Sequence, residues 1–477
     1  MTDVKPLVLD VDGTFLKTDM LFECFWAGLG SDPLPTLRAA ITHFRHPERL
    51  KAELVRIAPI RTDLLPVNPD VADLALRSRM AGREVILASA SDRSLVTRLA
   101  AEYGLSERVF ASDFTTNLKG ARKAAALVEA FGERGFDYAG DNPVDMAVWA
   151  QAENAIVVGR VPQARELAAR GQNVVEIGGG WNWRRLVKAL RPHQWVKNVL
   201  LLLAMIAAHR FDLATLIPIL WGIVAFSAAA SSIYIVNDLL DLEADRLHPT
   251  KCCRPFASGD VPIHVGMFTF IGLAILSLAI AATLNAQFFG VVILYMVTSL
   301  AYSLKLKRMR WIDISTLAAL YTIRVVAGAA AAQVDVSVYM LIFIFPIFIT
   351  LGCVKRLTEL TLATSDDRLP GRGYGRPDRG DLLNVAMLGT FWALVIFFLY
   401  SLSDQGQELY PTTWILWVAM IPMTLWLVRM VMLGWYGKQD YDPIVFAMRD
   451  KFGIGLLMII LSLMFWAAGL WSQWFGA

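Results

Sequence analysis

Asp238, Asp241 and Asp245 stand three and four residues apart at the end of an apolar stretch, in the run Asn237-Asp238-Leu-Leu-Asp241-Leu-Glu-Ala-Asp245-Arg246. On a continuous helix that spacing puts three carboxylates on one face. Like charges so arranged repel one another, unless a divalent cation sits between them and bridges to a diphosphate. Lys251 and Arg254 follow, one able to grip phosphate oxygens as a point charge and the other as a fork. A solvated acidic helix end is the competing reading, but the surroundings are otherwise basic. A second constellation lies near the N-terminus, where Asp10-Val11-Asp12-Gly13-Thr14 follows the apolar run from Lys5 to Leu9. Ser89 follows the run Val85 to Ala88, and Gly140-Asp141-Asn142-Pro143-Val144-Asp145 follows the run Phe136 to Ala139. Acids and a hydroxyl, each standing where an apolar run ends, mark a candidate polar site at the edge of a sheet. The plainer alternative is a set of loop caps and turn formers.

The elements that must position these groups differ between the two ends of the chain. Three apolar runs ending in polar residues, with helical segments between, predict an open parallel sheet whose site lies at the carboxyl edge. Residues 16–80 are expected to form a small helical cap. The 477 residues are 56% apolar with a mean hydropathy of +0.48, too apolar for a soluble enzyme. The excess lies in residues 196–475. Nine apolar blocks there are candidates to cross a hydrocarbon core, near 196–209, 214–236, 263–283, 287–304, 312–331, 336–354, 382–402, 412–433 and 453–473.

Alternate connections between these blocks hold Arg246, Lys251, Arg254, Lys305, Lys307, Arg308, Arg310, Lys355, Arg356, Arg368, Arg372, Arg376, Arg379, Lys438, Arg449 and Lys451, whereas the opposite connections hold Arg210 alone. This asymmetry predicts a cytosolic N-terminal domain, cytosolic sites and, after nine spans, an outside C-terminus. The start of the chain lacks the basic, apolar and small-residue pattern of a signal peptide. Residues 176–195 combine the Gly178–Gly180 hinge with Trp181, Trp183, Trp195, Arg184, Arg185, Lys188 and Arg191, a mixture that suits a helix lying on an anionic leaflet. An ordinary solvated linker is the alternative there. The domains are therefore expected at 1–175, 176–195 and 196–477. Cys24, Cys252, Cys253 and Cys353 show no metal or disulfide spacing and are read as reduced thiols. A net charge of +3 without basic tail or finger spacing argues against a nucleic-acid partner.

The combination DxDGT and GDxxxD resembles the haloacid dehalogenase (HAD) superfamily over roughly residues 5–175. The resemblance implies a Rossmann-like α/β fold with a cap. It implies that Asp10 attacks phosphorus, that Asp12 protonates the leaving alcohol and later activates water, and that Ser89 holds the phosphoryl group. Mg²⁺ would be held by Asp10, Asp141 and the backbone of Asp12. Lys119 would balance charge, with Asp145 orienting it and Lys123 as the rival lysine. A domain that keeps this fold without hydrolysing anything is the open alternative.

The run NDxxDxxxD at the end of a second span resembles the UbiA family of intramembrane prenyltransferases, over about residues 184–475. Arg191-Pro192-His-Gln-Trp195-Val-Lys197-Asn198, and His248-Pro249-Thr-Lys251 followed by Arg254-Pro255, resemble the branch that transfers phosphoribosyl to polyprenyl phosphate, the decaprenyl-phosphate phosphoribosyltransferase type. This implies an all-α polytopic domain using Mg²⁺, with Asp238, Asp241 and Asp245 as its ligands. Phosphoribosyl diphosphate would be the donor and a polyprenyl phosphate the acceptor. Asn237, Lys197, Asn198, Lys251, Arg254, Lys305, Lys307, Asp313, Arg324, Lys355, Arg356 and Glu359 would contact substrates. Many relatives carry a second DxxxD where this chain has Asp313 alone, leaving one or two metals open. The HAD-like domain would remove the 5-phosphate of the transferase product, giving polyprenyl phosphoribose for arabinose donor synthesis. A prenyltransferase using polyprenyl diphosphate and a small acceptor is the alternative, and a transporter or scaffold the third. The expected setting is the bacterial plasma membrane, and a homo-oligomer is compatible with it.

Overall fold

The computed structural model describes residues 5–335, 337–363, 366–369, 372–439 and 442–476. The chain divides into two compact units, Met1–Leu190 with Tyr234–Ile271, and Arg191–Ile233 with Gly272–Ala477.

In the first unit, six parallel strands lie in the order β3-β2-β1-β4-β5-β6. They are β1 (Leu7–Leu9), β2 (Val85–Asp92), β3 (Phe110–Ser112), β4 (Asp137–Gly140), β5 (Asn154–Val158) and β6 (Asn173–Ile177). The three strands expected from sequence are the central ones. Successive side chains on a strand point to opposite faces, so a sheet covered on both sides reads as continuous apolar runs. Leu7 and Leu9 pack with Val85 and Leu87 against one set of helices, while Val8 packs with Ile86, Ala88, Tyr138 and Trp149 on the other face. In register, Leu9 pairs with Leu87 and with Ala139, so Asp10, Ser89 and Asp141 emerge at one edge. Residues 16–80, where a cap is expected, fold into α1 (Met20–Ser31), α2 (Pro33–Thr42), α3 (Pro47–Ile57) and α4 (Pro69–Met80), the last packing Val71 and Ala75 into the core with β1 and β2. The sheet is completed by α5 (Arg93–Glu102), α6 (Ala121–Phe131), α7 (Met146–Trp149) and α8 (Arg165–Ala169), and α9 (Trp183–Ala189) follows in the Trp- and Arg-rich segment.

Helices make up the rest: α10 (Leu202–Ala207), α11 (Leu213–Leu240), α12 (Leu242–Leu247), α13 (Ile263–Leu284), α14 (Ala286–Leu304), α15 (Arg310–Ala332) and α16 (Val338–Thr361). They continue with α17 (Arg379–Ser401), α18 (Asp404–Leu409), α19 (Thr413–Trp435), α20 (Pro443–Ala447), α21 (Lys451–Ala467) and α22 (Leu470–Phe475). Among the described residues seven helices are long and apolar enough to cross a membrane: α11, α13, α14, α15, α16, α17 and α19. The expectation of nine is thereby reduced to seven of that length. The last block is the shorter apolar helix α21 followed by α22. The first block, 196–209, is a 3₁₀ stretch, Pro192–Leu201, leading into the six residues of α10. A physical reason lies in the second unit, where a Cβ on Gly328 of α15 would overlap the Leu201 backbone. The segment thus lies close on α15, with Lys197 and Asn198 turned inward and buried.

Candidate active sites

At the sheet edge, Asp10 leaves β1 and its Oδ1 accepts the Val11 amide at 2.8 Å. Asp10, Asp141 and Asp145 each offer an oxygen, all within 4.8 Å of one another, a donor set suited to a hard divalent cation. Asp141 also accepts Thr14 Oγ1 at 3.1 Å. Gly13 is required by this approach, because its φ is +83° and a Cβ there would overlap the Asp141 carboxylate. Asp12 accepts Ser89 Oγ at 3.0 Å, Ser91 Oγ at 2.6 Å and the Met20 amide at 2.9 Å. Burial, reinforced by the neighbouring Asp145 and Asp141 and opposed by Lys123, pushes Asp10 up to about 8. Burial beside Asp145 likewise pushes Asp141 up to about 7. Crowded carboxylates with this tendency to hold protons become acceptable when a cation joins them.

The lysine assignment is corrected. Lys119 is exposed. Lys123 is buried, with Nζ 2.9 Å from Asp10 Oδ1, 3.8 Å from Asp145 Oδ1 and 2.9 Å from the Tyr138 hydroxyl, which itself donates to Asp145 at 3.0 Å. Burial disfavours its ammonium, but Asp10 and Asp145 outweigh burial and raise its pKa. The cause is positional, since Lys123 lies in the first turn of α6 and helical side chains tilt toward the N-terminus. Tyr138, unforeseen from sequence, carried one signal: a tyrosine in a buried strand needs a partner for its hydroxyl. Ser91, Thr14 and Asp19, which caps α1, carried no comparable signal.

The acidic loop follows α11. α11 ends at Leu240 and α12 begins at Leu242, but backbone hydrogen bonds from Asp241 to Asn237 and from Asp245 to Asp241 carry the helical path through the junction, and Asp238 and Asp245 face the same side. Arg254 is drawn in between the flanking acids, with NH1 3.2 Å from Asp238 Oδ1 and 2.6 Å from Asp245 Oδ2. A guanidinium thus occupies the position between two carboxylates expected for a cation. Burial raises the Asp245 pKa, and Arg254 opposes that shift. Asn237 Oδ1 is buried without a hydrogen-bond partner, an orphan acceptor beside Asp238 that fits a hard cation's need for oxygen ligands. Lys251 is exposed on the same loop.

The second unit has a polar interior. Asn198 donates to Ser227 Oγ at 2.9 Å and accepts Arg324 Nε at 3.2 Å, while Arg324 NH2 donates to the Tyr295 hydroxyl at 3.0 Å. Buried Lys197 pairs with Asp442, and Lys355 lies 4.0 Å from the same carboxylate. Asp442 was missed, although an acid in a basic connection was a usable signal. Asp313 and Arg356 are fully buried, and Arg356 spans both carboxylate oxygens at 2.5 and 2.8 Å. Tyr302 donates to Asp313 at 2.8 Å, Arg372 lies 3.4 Å from it, and Glu359 pairs with Arg356. The structure therefore gathers Asp313, Arg356 and Glu359 into one ion-pair network. Lys305 is exposed and Lys307 half-buried beside it.

Seven membrane-length helices among the described residues, with buried ion pairs between helices and an acidic loop after α11, define an integral membrane protein, and its N-terminal parallel sheet carries a cluster of three carboxylates at one edge. Residues 198–367 match the UbiA prenyltransferase family. Over 273 residues the chain is 36% identical to decaprenyl-phosphate phosphoribosyltransferase of Mycobacterium tuberculosis, covering 56% of this chain and 88% of that protein. Over 453 residues it is 33% identical to the uncharacterized protein y4nM of Sinorhizobium fredii, covering 94% of this chain and 88% of that one. A HAD family hydrolase from Salmonella enterica serovar Typhi aligns with 36% of this chain and 68% of its own, at a TM-score of 0.27 and 17% identity. The chain belongs to the UbiA prenyltransferase family. Its helical part is of the UbiA transferase type, and a parallel α/β sheet domain precedes it in the chain.

Proposed function

We propose that the membrane part transfers 5-phosphoribosyl from phosphoribosyl diphosphate to a polyprenyl phosphate of the decaprenyl type, releasing diphosphate. The observation that carries this reading is the similarity to decaprenyl-phosphate phosphoribosyltransferase along most of that protein, together with a family match whose residues 198–367 include the acidic loop. Asp238, Asp241 and Asp245, with Asn237, would hold Mg²⁺, which supplies charge stabilisation to the departing diphosphate. Lys251 and Arg254 grip diphosphate oxygens, which requires Arg254 to exchange its carboxylate partners for phosphate. The bond from ribose C1 to the diphosphate oxygen breaks, and a phosphate oxygen of the lipid bonds to C1. That phosphate is already ionised at neutral pH, so no general base is needed. Lys197, Asn198, Lys305, Lys307, Arg324 and Lys355 are assigned to positioning the lipid phosphate, and Asp313, Arg356 and Glu359 to holding the helices that carry them. Catalysis is then mainly positioning and electrostatics.

The N-terminal domain, in this reading, removes the 5-phosphate from the lipid product. Asp10 attacks phosphorus, Asp12 donates its proton to the ribose 5-oxygen and then activates water, Ser89 orients the phosphoryl oxygens and Lys123 balances their charge. Mg²⁺ on Asp10, Asp141 and the Asp12 backbone would neutralise the ester. The asymmetry of the basic connections supports a cytosolic setting for both sites, in a bacterial plasma membrane. Purified protein is supplied with Mg²⁺, labelled phosphoribosyl diphosphate and decaprenyl phosphate, and the lipid product is resolved by mass. Wild type is expected to give polyprenyl phosphoribose and Asp10→Asn its 5-phosphate. Equal accumulation of the 5-phosphate in both would refute the phosphatase step, and turnover of a polyprenyl diphosphate with a small acceptor instead would refute the donor.

A further inference from the structure

The first unit joins the start of the chain to the acidic loop through one buried ion pair. Glu23 lies on α1 of the cap, and Arg246 lies on α12, next to Asp245. Arg246 NH1 and NH2 lie 3.0 and 2.6 Å from the two Glu23 oxygens, and the side chains are only 8% and 3% exposed. The third donor of this guanidinium, Nε, is given to the Ala257 carbonyl at 3.0 Å. That bond ties together the two ends of the segment 246–257, which carries Arg254, the residue that bridges Asp238 and Asp245. Glu23 is itself fixed by Thr18 Oγ1 at 2.6 Å. Aromatic contacts hold the same helix against α13, with Phe22 and His264 at 6.5 Å and Trp26 and Phe270 at 6.1 Å between ring centres. A bidentate, desolvated guanidinium–carboxylate pair fixes orientation as well as distance.

We propose that Glu23 is a positioning residue for the diphosphate-binding loop, acting through Arg246 to set the geometry of Asp245 and Arg254. The inference rests on the loop having the diphosphate role assigned above. It means that the phosphatase-type domain contributes a residue to the transferase site's order. One helical turn before Glu23, the Met20 amide holds Asp12, so the same turn of α1 touches both machineries.

The test titrates full-length protein in detergent with Mg²⁺–pyrophosphate and reads affinity by calorimetry. Glu23→Gln is expected to weaken binding about tenfold, the size of a coupling carried by one strong contact. Arg246→Gln should match it, the double variant should be no weaker than the worse single, and Arg246→Lys, which keeps charge but loses the fork, should lie between. A general loss of packing would instead give additive losses. Breaking a buried pair risks unfolding, so the paired Glu23→Met/Arg246→Met variant, which leaves no unpaired charge, runs beside them and is also expected to bind weakly. Native affinity in Glu23→Gln or in the methionine pair, or additive singles, overturns the proposal. Wild type that binds Mg²⁺–pyrophosphate but turns over no phosphoribosyl donor would sink the substrate reading alone, leaving the variants to decide this one. Wild type that binds none overturns both.

Discussion

Replacing Lys123 by methionine should separate the two lysines that sequence order leaves equivalent. At 2.9 Å from Asp10 and 3.8 Å from Asp145, the ammonium gains about 6 and about 4 kcal/mol of attraction if the effective dielectric is about 20. Burying the ammonium offsets several kcal/mol of this, so breaking the cluster should cost about 3–5 kcal/mol when Asp10 is ionised. Asp10 can escape by taking a proton, because burial already raises its pKa to about 8. The loss of stability in Lys123→Met should therefore be small at pH 6 and larger at pH 9. Hydrolysis of p-nitrophenyl phosphate with Mg²⁺ should fall by about 10²–10³, as when one oriented donor to a reacting phosphoryl or oxyanion group is removed. Lys119→Met, altering an exposed side chain, should leave both readouts near native. Activity and thermal unfolding are measured on full-length protein in detergent at both pH values. A dead Lys119→Met beside an active Lys123→Met, or a Lys123→Met that loses more stability at pH 6 than at pH 9, would refute the reasoning.

One further outcome concerns the carboxylates at the sheet edge and another the helical unit. Asp10 and Asp141 have folded pKa values raised to about 8 and about 7, so without metal their contribution to stability is full below about pH 4 and lost as pH rises through 7 to 8. Mg²⁺ needs both deprotonated, so its affinity should rise over pH 6–8 with proton release on binding; calorimetry in buffers of different ionisation heat that shows no release would contradict this. In the helical unit, Arg356→Met leaves fully buried Asp313 short of its main partner and should cost about 3–5 kcal/mol in detergent unfolding, while adding Asp313→Leu should recover much of it. Equal instability of single and double variants would mean that the pair is not what the helices depend on.

Apolar runs marked β1, β2 and β4 of the six-stranded sheet and the blocks that hold the seven membrane-length helices, because a segment buried on both faces must be apolar along its length. Type and order of polar residues likewise marked Asp10, Asp12, Ser89, Asp141 and Asp145, because a parallel sheet brings the ends of its strands to one edge. Tertiary structure decided what depends on direction rather than order. Lys123 displaced Lys119 because a helix start aims it at the sheet edge, and Arg254, sixteen residues after Asp238, came to lie between Asp238 and Asp245. The nine apolar blocks yielded seven membrane-length helices because apolarity does not fix helix length where the backbone lies against a neighbour, as at Leu201 on Gly328. Partners such as Glu23 with Arg246 and Asp313 with Arg356, 223 and 43 residues apart, leave no periodic trace in the chain. Charges buried away from water must find one another in space, and sequence separation carries no record of that pairing.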